Sequence, residues 1–171
     1  CLCPGSKVAI TTLNGKVCIF EENGRFVRSY NIPGYVNEKN KLSICYNNGY
    51  IWVGTDRGLY RLNPLNGRFE TFTPPSRFGN VNTIMGWGKD AVILGTNNGI
   101  YTFGIYDNSF RRFDGPGKVS GLPDISINDM KTDREGNLWV MTSAGGISWL
   151  PRHTGMTEFI RLPDIAKESR S

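Results

Sequence analysis

An all-β chain of four-stranded antiparallel meanders is predicted, and three observations carry that prediction. Apolar runs are short and are broken repeatedly by Gly, Asn and Pro. A threonine closes similar runs four times, "VAITT" at Thr12, "IWVGT" at Thr55, "VILGT" at Thr96 and "LWVMT" at Thr142, at intervals of 43, 41 and 46 residues. Each threonine is followed three residues later by a glycine (Gly15, Gly58, Gly99, Gly145) and fourteen residues later by an apolar strand start (Phe26, Phe69, Phe110, Met156). Offsets that recur four times mark an internal repeat, and about 40 to 45 residues with four strands is the period of a β-propeller blade. A β-sandwich with coincidental spacing would not reproduce them. The expected architecture is about four blades, as a partial propeller or a fragment of a larger one.

The elements follow in order. The first unit, residues 7–34, has "KVAITT", "KVCIF" and a strand from Phe26, but only "CLCPGS" precedes it, so it is expected to be a partial blade lacking its inner strand. Blades are expected at 40–75, 80–116 and 125–163, with a polar tail "DIAKESRS" at 164–171. The third unit shows the pattern most fully: "VNTIMGW", "AVILGT", "GIYTFGI" and "SFRRFDG", separated by "GKD", "NNG" and "YDN". Gly, Asn and Asp supply the positive φ that short hairpin turns require. A lone meander cannot bury both faces, yet Ile51, Trp52, Val53, Val92, Leu94 and Trp139 are too apolar to stay wet. Stacking blade on blade buries them, and Trp52 and Trp139 are expected between blades. Open ends of such a stack expose apolar faces and strand edges, so self-association through blade faces is expected, in preference to a terminal segment patching the first blade.

Composition narrows the function. With 171 residues and 39% hydrophobic content the chain has enough apolar material for a packed core. No run approaches the roughly 20 apolar residues of a spanning helix. The net charge of +5 comes from scattered Lys and Arg, the densest cluster being Arg111 with Arg112. Nucleic-acid surfaces gather such residues in a stripe with aromatics between them, so nucleic acid is not an expected partner. Cys1, Cys3, Cys18 and Cys45 all lie in the first third and cannot staple the whole chain; Cys18 and Cys45 sit in strand-like runs as buried thiols. The single histidine, His153, is remote from Cys1 and Cys3, which argues against a metal site. No cofactor is expected. Because the chain opens at Cys1 without Met and its first repeat is incomplete, it is expected to be a piece of a longer protein.

Two strings carry a family resemblance, "GYIWVGTDRGLYRLNPLNGRFETF" and "GLPDISINDMKTDREGNLWVMTSAGGISWLPRHTGMTEF". Both resemble the two-component regulator propeller repeat, the second including its "GLP" segment and an Asp-x-x-Gly turn at Asp133 to Gly136, with Trp52 and Trp139 matching the family tryptophan. The third unit departs, with Ile93 in the tryptophan position. The resemblance implies an extracytoplasmic, periplasmic sensor propeller of a hybrid two-component histidine kinase of the Bacteroidetes type, an inner-membrane protein that reports on glycans and so regulates transcription. A structural or protein-interaction propeller is the alternative.

No catalytic residue is expected. The chain has no phosphate-cradling Gly-rich loop and no H-E-x-x-H, and "GTDRG" is a turn without a nucleophile elbow. A glycosidase needs two carboxylates about 5 to 9.5 Å apart, but Asp129 reads as a strand residue and Asp133 as a turn acid. Ligand contacts are expected where propeller turns surround the channel mouth. Inner strands begin there at Lys41, Arg77 with Asn82, and Asp124 with Asn128, and the turns present Asp56, Arg57, Asn97, Asn98 and Ser143. Amides, hydroxyls and a few charges suit sugar hydroxyls, and Tyr35 or Phe78 could stack on a sugar face. The candidate ligand set is Arg57, Arg77, Asn82, Asn97, Asn98, Asp124 and Asn128, for an oligosaccharide or another small molecule.

Overall fold

The computed structural model describes residues 1–35, 42–75, 78–113, 126–143, 146–151 and the backbone of 158–161. It has four antiparallel sheets of four strands each. In chain order they are β1 (Leu2–Cys3), β2 (Lys7–Thr12), β3 (Lys16–Glu21) and β4 (Phe26–Asn31); β5 (Ser43–Asn47), β6 (Tyr50–Gly54), β7 (Leu59–Leu62) and β8 (Phe69–Phe72); β9 (Val81–Trp87), β10 (Ala91–Thr96), β11 (Gly99–Gly104) and β12 (Phe110–Arg112); β13 (Ile127–Thr132), β14 (Leu138–Thr142), β15 (Gly146–Leu150) and β16 (Glu158–Arg161). Inside every sheet, sequence neighbours pair, as a meander requires. Neighbouring blades touch chiefly through their inner strands, β5 on β9 and β9 on β13. Met156 lies outside the described residues; Phe26, Phe69 and Phe110 open their strands as the spacing predicts.

The recurring threonine has a mechanical cause. Thr55 Oγ1 donates to the Gly58 carbonyl at 3.2 Å and Thr96 Oγ1 to that of Gly99 at 2.9 Å, while the same oxygens accept from the Arg57 and Asn98 amides at 3.0 Å. The hydroxyl therefore closes the turn from inside, and it is fully buried there. Gly58 and Gly99 adopt φ of +137° and +104°, which side chains rarely reach. In the fourth blade Thr142 Oγ1 reaches Gly146 at 3.4 Å, so that turn is one residue longer.

Both faces of each middle blade are covered, which is why their strands read as almost continuous apolar runs. Alternation along β6 sends Ile51 and Val53 into a core shared with Ala9, Val17 and Ile19 of the first blade. Trp52 points the other way, into a core with Phe103, Val92 and Leu94 of the third. Ile93 and Ile100 then meet Leu138, Val140 and Leu150 of the fourth. Gly54 and Gly95 permit this approach: a Cβ on Gly54 would sit 2.3 Å from Val81 Cγ1, and one on Gly95 2.6 Å from Ile127 Cγ2.

Two expectations are corrected. The first unit does have an inner strand: "CLCPGS" supplies β1, pairing Leu2 with Val8 and Cys3 with Lys7. The terminal ammonium donates to the Ala9 carbonyl at 2.6 Å, and the Ala9 amide donates to the Cys1 carbonyl at 2.9 Å. Backbone ladder bonds need no favourable side chains, so a segment of poor strand propensity still completes the sheet. Trp139, expected between blades, is 37% exposed. Three residues before each threonine the chain places Ala9, Trp52, Ile93 and Trp139, and the first three are fully buried because a blade follows them. Among the described residues no blade follows the fourth. Trp139 instead lies against Trp149, with ring centroids 6.2 Å apart, and its Nε1 donates to Asp133 Oδ2 at 3.0 Å.

None of the four cysteines is in a disulfide. Cys45 is buried as expected, its thiol pushed up to about 12 by desolvation, whereas Cys18 is half-buried.

Candidate functional site

The candidate site is the rim formed by the threonine turns and the starts of the inner strands. Its groups come together in pairs. Asn82 Nδ2 donates to Asn97 Oδ1 at 2.8 Å and also to the Ile127 carbonyl of the next blade at 2.8 Å. Ser143 Oγ donates to Asn128 Oδ1 at 2.8 Å and lies 3.0 Å from Ser126 Oγ. Arg57, exposed at its turn, donates to the Gly34 carbonyl of the first interblade connection at 3.1 Å. Asn98 is held through its amide by Thr96. Lys41, Arg77 and Asp124 lie outside the described residues.

A set of interblade ties, not anticipated from sequence, shapes this rim. Side chains at the start of one inner strand donate to the first carbonyl of the next: Ser43 Oγ, first in β5, to Val81 O at 3.4 Å, and Asn82 Nδ2, second in β9, to Ile127 O. In the first blade, whose inner strand is only two residues long, Thr11 on β2 takes over and reaches the Leu42 carbonyl at 3.3 Å. The Val81 amide donates to the Thr55 carbonyl at 3.1 Å. Asn82 is thus part of the scaffold as well as of the rim. Asn128 holds the same place on β13 and is exposed. The available signal was a polar residue at the start of each of these inner strands, Ser43, Asn82 and Asn128, hidden because Ser43 pairs with Gly54 whereas Asn82 and Asn128 are the extra residues of a register shift.

The proposed stacking aromatics differ from expectation. Phe78 is 1% exposed and packs on Tyr101 and Phe110 at centroid distances of 4.6 and 5.1 Å, so it is a core residue; an aromatic beside Val81 on the interblade face is driven inward. Tyr35 lies half-buried over the first turn, so close that a Cβ on Gly15 would stand 2.4 Å from its ring.

The carboxylates named above are engaged by structural partners. Asp129 Oδ1 accepts from Thr83 Oγ1 at 3.0 Å and from the Met130 amide at 2.9 Å. Burial pushes the Asp133 carboxyl up, but hydrogen bonds from Trp139 and Asn137 outweigh it and hold the group below the ordinary carboxylate range. No cluster of three His, Cys, Asp or Glu suited to a metal ion occurs among the described residues, and no helix there is long and apolar enough to cross a membrane.

Residues 121–144 match the family model described as the two component regulator propeller. Over this segment the chain is similar to a two-component regulator propeller repeat. The segment takes in the Asp133 to Gly136 turn, where the Gly136 amide donates to the Asp133 carbonyl at 3.1 Å and Asp133 in turn fixes Trp139. No curated protein sequence matches the chain. Among solved structures, the chain overlays the extracellular domain assigned to a hybrid two-component system of B. thetaiotaomicron with a TM-score of 0.66 and 21% identity, covering 92% of this chain and 20% of that one. It overlays virginiamycin B lyase from Staphylococcus aureus with a TM-score of 0.68 and 17% identity, covering 93% of this chain and 53% of the lyase. U3-55K gives a TM-score of 0.69 at 11% identity, covering 92% and 46%. The chain spans about half the length of the lyase and a fifth of the two-component domain. At these identities the overlays establish the fold, a β-propeller arc.

Proposed function

We propose that the chain is an extracytoplasmic, periplasmic arc of a sensor propeller from a hybrid two-component histidine kinase, whose threonine-turn rim takes an oligosaccharide and so governs transcription. The observation that carries this reading is the similarity of residues 121–144 to a two-component regulator propeller repeat, within a chain that overlays the extracellular domain of such a system over nearly all of its length. Arg57, Asn97, Asn98 and Asn128 offer amide and guanidinium groups to sugar hydroxyls, Asn82 adds the remaining valence of its tied amide, and Arg77 and Asp124 complete the proposed set. The structural partners of Asp129 and Asp133 favour binding over catalysis, although the fold is shared with a lyase.

Thermal unfolding against a panel of oligosaccharides tests it. A sugar bound only by the native state, at a hundred times its Kd, adds about 2.7 kcal/mol, or about 5 to 10 °C in a chain of this size. Asn97→Ala should reduce that shift. If no sugar raises Tm, oligosaccharide sensing by this arc is wrong.

A second reading, a propeller that binds protein through its ends, is favoured by the exposed Trp139 and Met141 on the open face of the fourth blade. Sedimentation across a dilution series should show self-association that Trp139→Asp weakens. A monomer at every concentration would remove this reading.

A further inference from the structure

A cleft of about 320 Å³ opens between the first two blades, at the edge opposite the threonine turns. Its origin is legible by comparing junctions. Between the second and third blades, Trp52 and its cross-strand partner Arg61 fill the space. The Arg61 guanidinium lies 5.0 to 5.4 Å from the rings of Tyr50, Trp52 and Phe72 and donates to the Ile105 carbonyl at 3.1 Å. In the first blade the equivalent pair is Ala9 and Ile19. An alanine and an aliphatic residue in place of an indole and a guanidinium leave the junction underfilled at that edge.

We propose that this cleft binds a small monoanion with an apolar body, such as a medium-chain carboxylate. Ile19, Val27, Ile51 and Leu65 form its walls, and Lys7 and Arg28 stand among its lining residues. None of the described lining residues is an acid. Among the described residues neither cation enters an ion pair, and the partner recorded for Arg28 is neutral, the Tyr30 hydroxyl at 3.3 Å. Arg28, with no acid recorded against it among the described residues, and Lys7, whose charge is partly met by Glu21 across the β2–β3 pair, put positive charge beside an apolar cavity of small-molecule size. That combination complements a carboxylate on a hydrocarbon or aromatic body. The cleft is separate from the rim and does not depend on its ligand.

Calorimetric titration with octanoate, and with octanol as the uncharged counterpart, tests the assignment. Octanoate should bind saturably at one site. The double variant Lys7→Gln, Arg28→Gln should bind it about tenfold more weakly while octanol binding is unchanged, and Leu65→Asp should abolish both. Lys7, Arg28 and Leu65 are exposed, Leu65 by 89%, so the variants should keep the wild-type Tm. Asn97→Ala at the rim should leave octanoate binding intact. Absence of saturable binding, or equal affinity in the double variant, would overturn the proposal.

Discussion

Replacing Trp52 with alanine is expected to cost about 3 to 5 kcal/mol, the usual loss for a fully buried large aromatic. The indole packs 5.7 Å from the Phe103 ring across the blade junction, carries the Arg61 guanidinium on its face, and donates from Nε1 to the Asn47 carbonyl at 3.2 Å. The same change at Trp139 removes one exposed hydrogen bond and one ring contact, and is expected to cost about 1 to 2 kcal/mol. Denaturant unfolding of the two variants measures the contrast. Equal losses would mean that Trp139 is covered in solution, as it would be if the fourth blade met another blade face.

Gly95→Val should destabilise by about 1 to 3 kcal/mol through overpacking. Any Cβ at this position meets Ile127 Cγ2 and Thr83 Cγ2, both at 2.6 Å, and the second branch of valine leaves neither inner strand room to yield. Met141 holds the same place in the fourth blade and is 42% exposed. Met141→Gly should therefore cost only about 0.5 to 1 kcal/mol, the entropic penalty of glycine in a strand. Denaturant midpoints for the pair check this, and a tolerated valine at 95 would contradict the close stacking of the third and fourth blades.

The sequence made the repeat legible because the threonine turn is a local device. Thr96, Gly99 and the strand start at Phe110 are set by hydrogen bonds and φ within one unit, so their spacing survives in the chain. What failed was set by neighbours. Trp139 matches Trp52 in type and register, yet its burial depends on a following blade. Phe78 reads as a free loop aromatic and is buried only because β11 and β12 close over it. The strand at Leu2 and Cys3 rests on backbone pairing that propensity does not record. Asn82 carried a turn-like identity that hid its tie to the next blade's carbonyl. The cleft between the first two blades was foreshadowed by Ala9 standing where other units have Trp52, Ile93 or Trp139, a departure whose meaning appears only once the junctions are compared.

The central claim, that the threonine-turn rim is a ligand-sensing face, is tested most directly by hydrogen exchange on the folded chain with and without the oligosaccharide that raises Tm most. Binding at the rim predicts slowed exchange of the turn amides at 56–58 and 97–99, which lie beside Arg57, Asn97 and Asn98. Protection confined to the Trp139 face or to the cleft beside Leu65, with those turns unchanged, would contradict it.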